Sequence, residues 1–521
     1  MLKDYTNNHR ISGKMLVHIL IGLVVLVIAF LAIDNTILKD KPEVTTENAI
    51  QPTVEAPEKS NRPVAEEKDT VLHNSVAVMP FENLSPDPDD AYFAIGIHQE
   101  ILDHLAMIRD IQSISRASVL HYENTDISVA EIASELNVGT IMKGSVRYEE
   151  NKITLAVRLY NAASLSQLWS ERYESELSDI FMIQADIVDH IVQALGATLT
   201  AAEKEHIHKV PTRSFEAYVL YLRTKIIPSI IGENKPDIFY QLLDKSIEQD
   251  PEFALAHAYK ARGYELARRS YRPVNGLTLD EMGRVALEQV KIALALDPNL
   301  GMAYLALAEI HRGNQDKSEA RHAYDQAVQL SPGNKDILNA YARFLSIIKE
   351  HGDAIRLGQR VLDLDPNDAN NYYLQGWTLM DAGNVVAAAK NFRLGNAIEP
   401  NFFRNINLAL AEIALGNKAE ALTALRDADK LIDKTITIRG VARVAYAYSN
   451  LGLQEDAKRL FDLIQTKITN GEPISTSYSA LAYLSIGEVE KARTMLNHDP
   501  YDAFDSLYYI KPNVENSLDR K

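Results

Sequence analysis

Four prolines, at positions 298, 332, 366 and 400, stand 34 residues apart in near-identical settings: LDPN, LSPGN, LDPN and IEPN. Proline ends a helix, because it lacks the amide donor and clashes with the preceding turn. A breaker repeated at one interval marks a chain built from copies of one unit, and 34 residues is the length of two antiparallel helices with their turns. Other positions hold the same register. Ala308, Ala342 and Gly376 supply small residues to the first helix, and Ala320, Ala354 and Ala388 supply them to the second. Leu345, Leu379 and Ile413 recur with the same step. Small side chains let neighbouring helices approach, so the pattern predicts stacked hairpins and an all-α solenoid.

The register extends in both directions. Upstream, EQDPEF places Pro251 47 residues before Pro298, thirteen more than the period, and SYRPVNGLTLDE reads as the insertion. Downstream, ALAEIALGNKAEALTAL, VAYAYSNLGLQEDAKRLF and ALAYLSIGEVEKARTML read as degenerate helix pairs. Residues 214–500 are therefore expected to hold five to seven units in a right-handed superhelix, with 501–521 as a loosely docked cap. These residues resemble the tetratricopeptide-repeat (TPR) family, and the resemblance implies a groove for a protein or peptide partner.

In such a solenoid the first helices line the groove. Stepping by 34 from Asn339 reaches Tyr373 and Asn407, and from Glu309 reaches Arg343 and Trp377; Arg404 lies one turn before Asn407. Asn can pair with peptide backbone, Arg with carboxylate, and Trp or Tyr combines apolar area with a polar handle. These seven residues are the candidate partner-binding set. Packing between repeats is the competing role for any one of them.

Residues 15–33, MLVHILIGLVVLVIAFLAI, carry no formal charge and hold His18 as their one ionisable group. At 1.5 Å per residue they span about 28 Å, enough for a bilayer core of roughly 30 Å. Lys3, Arg10 and Lys14 precede the run against Asp4, and Asp34 follows it. The positive-inside rule then predicts one transmembrane helix with residues 1–14 in the cytoplasm and the bulk of the chain in the periplasm, anchored to a bacterial inner membrane. A cleaved signal peptide is the alternative, but the run is long for one and LAIDNT shows no small-x-small site. Residues 34–70 hold four prolines among polar residues and read as a disordered tether reaching ~35 Å.

Residues 71–205 change character. SVAVMPF (75–81) reads as a buried strand, followed by the turn-rich ENLSPDPDD and a helix through Phe93, Ile97, Ile101 and Leu105. IQSISRAS (111–118) alternates as a strand. Ser128 and Glu131 form a capping box for a helix that Gly139 is expected to stop. Three alternating runs and a final helix from about Ser178 to Ala202 complete a β-α-β-α-β-β-β-α order. The fold class expected is thus a small mixed-sheet α+β domain followed by an all-α superhelical solenoid. The stretches SVAVMPFENLSPDPDDAYFAIGIHQEILDHL and QLWSERYESELSDIFMIQADIV resemble the TolB-like (FlgO-related) domain. That module precedes TPR repeats in CadC/ToxR-type membrane regulators and in TPR proteins linked to adenylate cyclases. Relatives usually place Asp beside the helix-opening glycine, where this chain has Ile95-Gly96-Ile97. If that acid serves a ligand, this chain has lost it.

Chemistry is sparse. The 521 residues contain no cysteine, which removes disulfides, thiolate metal sites and cysteine nucleophiles. A net charge of −17 argues against binding nucleic acid through a basic surface. His98 and His104 stand six apart, not at the i, i+4 spacing of a zinc-protease helix. Asp87, Asp89 and Asp90 complement a helix N-terminus. No phosphate loop, dinucleotide fingerprint or nucleophile elbow occurs. The reading is a non-enzymatic, cofactor-free, membrane-anchored periplasmic scaffold or sensor that binds protein or peptide partners. The alternative is an accessory subunit acting through a separate cytoplasmic regulator or cyclase. With fourteen residues before the apolar run, neither a winged-helix nor a cyclase output is expected within the chain.

Overall fold

The computed structural model describes residues 72–496 except 124, 151, 226–235, 270–273, 434–435, 473 and 475. Among these residues no helix is long and apolar enough to cross a membrane. The expected anchor at 15–33, its flank 1–14, the linker 34–70 and the tail 501–521 lie outside the described residues.

A small mixed sheet opens the described chain, in the order β3 (Gln112–Ser113), β1 (Leu72–Val78), β4 (Val138–Glu149), β5 (Lys152–Asn161) and β6 (Gln167–Glu176), with β2 (Glu82–Asn83) also on β4. β1 runs parallel to β3 and to β4. β2 continues parallel along β4. β5 and β6 add an antiparallel meander. Val76, Ala77 and Val78 are fully buried because both faces of β1 are covered. Val76 and Val78 face the core that holds helices Ala91–Leu105 and Ile180–Leu195. Ala77 and Met79 face a second core with helix Val129–Leu136.

Three local expectations change. IQSISRAS forms only two strand residues, because Ser115 caps a short helix, Arg116–Leu120, by accepting from the Ser118 amide. The Ser128/Glu131 capping box is present, but Asn137 ends that helix in the left-handed conformation at φ 51° and Gly139 belongs to β4. The helix expected over 178–202 is two, split by Gly196 at φ 67°. Thr200 and Glu203 then form a capping box that starts Ala201–Ile207.

Sixteen further helices pair into eight hairpins among the described residues, from Phe215–Thr224 with Pro236–Gln249 to Thr476–Ser485 with Val489–Leu496. Eight exceeds the five to seven units expected, because only five hairpins end at one of the prolines 251, 298, 332, 366 and 400 and the last three have none in phase. The thirteen extra residues between Pro251 and Pro298 do not form one loop. Relative to the hairpin at 301–330, three lengthen the first helix (Ala254–Arg269), six the connection and four the second helix (Leu279–Leu296).

Sheet and solenoid share a core, which runs from Val76 through Tyr218, Tyr221 and Phe253 to Ile310. Gly96 makes this possible: a Cβ there would lie 2.8 Å from Leu222 Cδ2, so glycine lets helix Ala91–Leu105 press onto helix Phe215–Thr224. The inter-repeat turns then meet the sheet domain and its connector in succession. Thr212 donates to Asp250, and Lys209 lies 2.8 Å from Asp297. The Gly333 amide donates to the Ala106 carbonyl at 2.8 Å. Asp365 accepts from the Ser118 hydroxyl at 2.6 Å, the Ser115 amide at 3.2 Å and Lys335 Nζ at 2.6 Å. At prolines 251, 298, 332 and 366, the residue before or after the proline is therefore a docking point.

Candidate functional site on the first helices

The seven candidate residues sit on the first helices of consecutive hairpins and divide by what they touch. Glu309 is buried and braces two repeats, with its carboxylate 3.3 Å from Arg262 Nε and 3.5 Å from Arg269 Nη1. Arg262 reaches onward to Asp336 at 3.4 Å, and these carboxylates, opposing the cost of burial, hold its pKa above the usual value. Asn339 donates to Asn371 Oδ1 at 3.3 Å, and Asn371 Nδ2 donates to the Asp365 carbonyl at 2.9 Å. Arg343 is half-buried and bears on Asp381. Arg404 is buried and donates to the Glu399 carbonyl at 2.5 Å, its carboxylate at 3.0 Å and Asn370 Oδ1 at 2.9 Å. These contacts cross repeat boundaries and stiffen the stack.

Tyr373, Trp377 and Asn407 instead converge. The Tyr373 and Trp377 rings meet edge-on at 6.4 Å, and both are half-buried. A residue outside the candidate set completes the cluster. The Arg443 guanidinium lies 5.1 Å over the Trp377 ring and donates to Asn407 Oδ1. Arg443 is 4% exposed, and among the described residues no carboxylate pairs with it. Burial raises the Tyr373 hydroxyl, but Arg443 foremost, aided by Trp377 and Asn407, carries it below its ordinary value. The arrangement is an aromatic shelf beside a cation with no anion of its own.

Arg443 escaped a strict 34-residue step because the register slips there. The first helices begin at Phe402 and Ile438, 36 residues apart, so the position equivalent to Asn407 is 443 and not 441. The signal in the sequence is the connection 431–437, seven residues long against three at 399–401.

His98 is structural. Arg116 donates to its Nδ1 at 3.1 Å, which leaves Nε2–H to donate to the Val78 carbonyl at 2.8 Å. Burial pushes its pKa down to about 4. Among the described residues no group of three or more His, Asp or Glu side chains converges on a metal-sized site.

The tetratricopeptide-repeat family model matches residues 283–335 and 305–369, so the chain carries TPR repeats. A Rhizobium meliloti (strain 1021) protein named "Putative adenylate cyclase 3" is 34% identical over 186 residues, 35% of this chain and 31% of that protein. The "Cellulose synthase operon protein C" of Pseudomonas fluorescens (strain SBW25) is 23% identical over 170 residues, 33% of this chain and 12% of that protein. This chain thus spans a third or less of either relative. The solved structure of Pseudomonas aeruginosa PilF aligns with 45% of this chain and 98% of its own, at 15% identity and a TM-score of 0.33.

Proposed function

We propose that this TPR protein is a membrane-anchored scaffold or sensor of the bacterial envelope, whose Trp377 cluster captures a peptide segment with an apolar side chain next to an acidic group. The observation that carries this reading is Arg443, a buried cation with no carboxylate partner among the described residues, beside two half-buried aromatic rings. A partner carboxylate there gains a charge-assisted contact, and Trp377 offers the area of a binding hot spot. Membrane anchoring through residues 15–33, a cytoplasmic N-terminus and a periplasmic bulk follow from the charge asymmetry of the sequence. The TolB-like resemblance of residues 71–205 supports a signalling context, and the acidic net charge supports protein over nucleic-acid partners.

A second reading is an accessory subunit of a cyclase or transcription-regulator system, acting through a separate cytoplasmic effector. The relative named for adenylate cyclase favours it.

A photocrosslinking amino acid at position 377 in the native cell tests the first reading. A discrete adduct with an envelope protein, absent when the probe sits at the exposed Thr423, is expected. Equal adducts at both positions would sink it. Alkaline-phosphatase and fluorescent-protein fusions after Ala49 and at Lys521 separate the two readings: active phosphatase at both sites fits the periplasmic scaffold, and a fluorescent fusion at Lys521 fits the cytoplasmic accessory.

A further inference from the structure

We propose that the cleft between the mixed-sheet domain and the first three hairpins is a binding site for a small amine-bearing molecule. The cleft encloses about 560 Å³, within the range of sites that hold drug-sized ligands. One wall is helix Ala91–Leu105 with the connector around 207–214, and the other is the succession of inter-repeat turns at Asp250, Asp297 and Ser331. It lies away from the Trp377 cluster and does not rest on the reading of that cluster.

The wall shows which charge it stabilises. Four lining side chains hold a resident ammonium, that of Lys225, whose side chain is 7% exposed. Glu100 and Asp103 each approach it at 3.3 Å, and Tyr259 lies 2.5 Å away through its hydroxyl. The rings of Tyr221 and Tyr259 sit 4.9 and 4.4 Å beneath the nitrogen. Carboxylates and aromatic faces at these distances are what an alkylammonium ion needs on leaving water.

Carboxylates remain beyond those the lysine uses. Asp250, Glu252 and Asp297 also line the cleft, against Lys209 and Arg213. Lys209 is engaged with Asp297 at 2.8 Å, and Glu252 has no ion pair among the described residues. His104 lines the same space, and its buried Nδ1 has no hydrogen-bond partner among the described residues. Burial holds this imidazole neutral, with a pKa near 4, so it contributes hydrogen bonding without opposing a cation. An amine with one or two further donors suits such a lining. Because the walls belong to both the sheet domain and the solenoid, a bound amine ties the two together and gives the scaffold a small-molecule input.

Calorimetric titration of the purified full chain with spermidine, in ~150 mM salt to screen the general acidity, tests the proposal. Saturable one-to-one binding is expected, with a rise of ~5 °C in the unfolding midpoint at saturation. Leu255→Trp fills the cleft and abolishes binding. Glu252→Gln, on the rim and outside the core, weakens it ~10-fold. Trp377→Ala leaves it unchanged, which keeps this test separate from that of the peptide face. Binding that survives Leu255→Trp, citrate binding in place of spermidine, or no heat with spermidine would each overturn the assignment.

Discussion

The two halves of the solenoid share one period but differ in what holds their turns. Through Asp365 the turns touch the sheet domain or its connector: Asp250, Asp297, Gly333 and Asp365 all make contacts outside the repeats. Among the described residues, the turns from Glu399 onward show no such contact. The Glu399 side chain is 69% exposed and its one ion pair among the described residues is with Arg404 of its own turn, whereas the Asp365 side chain is 0% exposed. The cores divide similarly. One runs from the sheet to Ile310, and a separate one holds the hairpins from Phe402 to Ala492. Residues that keep the period build hairpins, and the small departures decide which hairpins carry another domain. The half whose turns lack those contacts is the one that holds Arg443, which pairs with no carboxylate among the described residues.

The comparison breaks most readily at Asp365. Burial would raise its carboxyl, but Lys335 foremost, with Ser115 and Ser118, holds it below the usual carboxylate range. Asp365→Ala removes the anion and leaves a mostly buried lysine uncompensated, which costs about 3–5 kcal/mol. Native-state hydrogen exchange should show protection lost together in 112–120 and 335–364. A loss confined to the solenoid would mean that the turn does not anchor the sheet domain.

Acid is the next lever. His98 has a folded pKa of about 4 against an ordinary 6.5, so the unfolded chain takes up a proton first and stability falls as pH drops from 6.5 towards 4. Glu265 works in the opposite sense. Burial, against Arg268, lifts it to about 7, so it gains a proton in the folded state as pH falls below 7. A difference measurement isolates the histidine. His98→Gln keeps a donor for the Val78 carbonyl, and at pH 5 the wild type should have lost on the order of 2 kcal/mol more stability than the variant relative to pH 7. Parallel pH profiles would show that this imidazole takes up its proton as readily in the fold as in the unfolded chain.

Gly333 gives a smaller effect and shows where sequence reading stops. LSPGN departs from its neighbours at two positions, Ser331 and Gly333, and periodicity alone offers no reason for the glycine. The structure supplies one: a Cβ at 333 would lie 3.1 Å from the Ala106 carbonyl oxygen and 3.2 Å from the Ala106 Cα, backbone atoms that cannot rotate away. Gly333→Ala should cost about 1–2 kcal/mol, read as an earlier thermal transition that includes the sheet domain. The hairpins, their small residues and the capping box at Ser128 were legible because each follows from contacts within about one period. The docking was not, since Ser118 and Asp365 lie 247 residues apart. Of the proposed partner face, Tyr373, Trp377 and Asn407 follow from the step of 34, and Arg443 is hidden by a slip of two.

Glu399 should matter least, and that is its value. It occupies the place in its turn that Asp365 fills one period earlier, so equal costs would mean that the turn acid serves the repeat itself. The geometry says otherwise. Arg404 loses one 3.0 Å contact in Glu399→Ala but keeps the 399 backbone carbonyl at 2.5 Å and Asn370 at 2.9 Å. The departing carboxylate is 69% exposed, so water already screens its pull on the buried Arg404, which keeps two oxygen acceptors; a pair screened in this way contributes ~0–1 kcal/mol. The variant should unfold within about 0.5 kcal/mol of wild type in the same exchange experiment. A loss approaching that of Asp365→Ala would show that the acid stabilises the hairpin junction in both halves, and the sheet domain would then be a passenger on turns already stable without it.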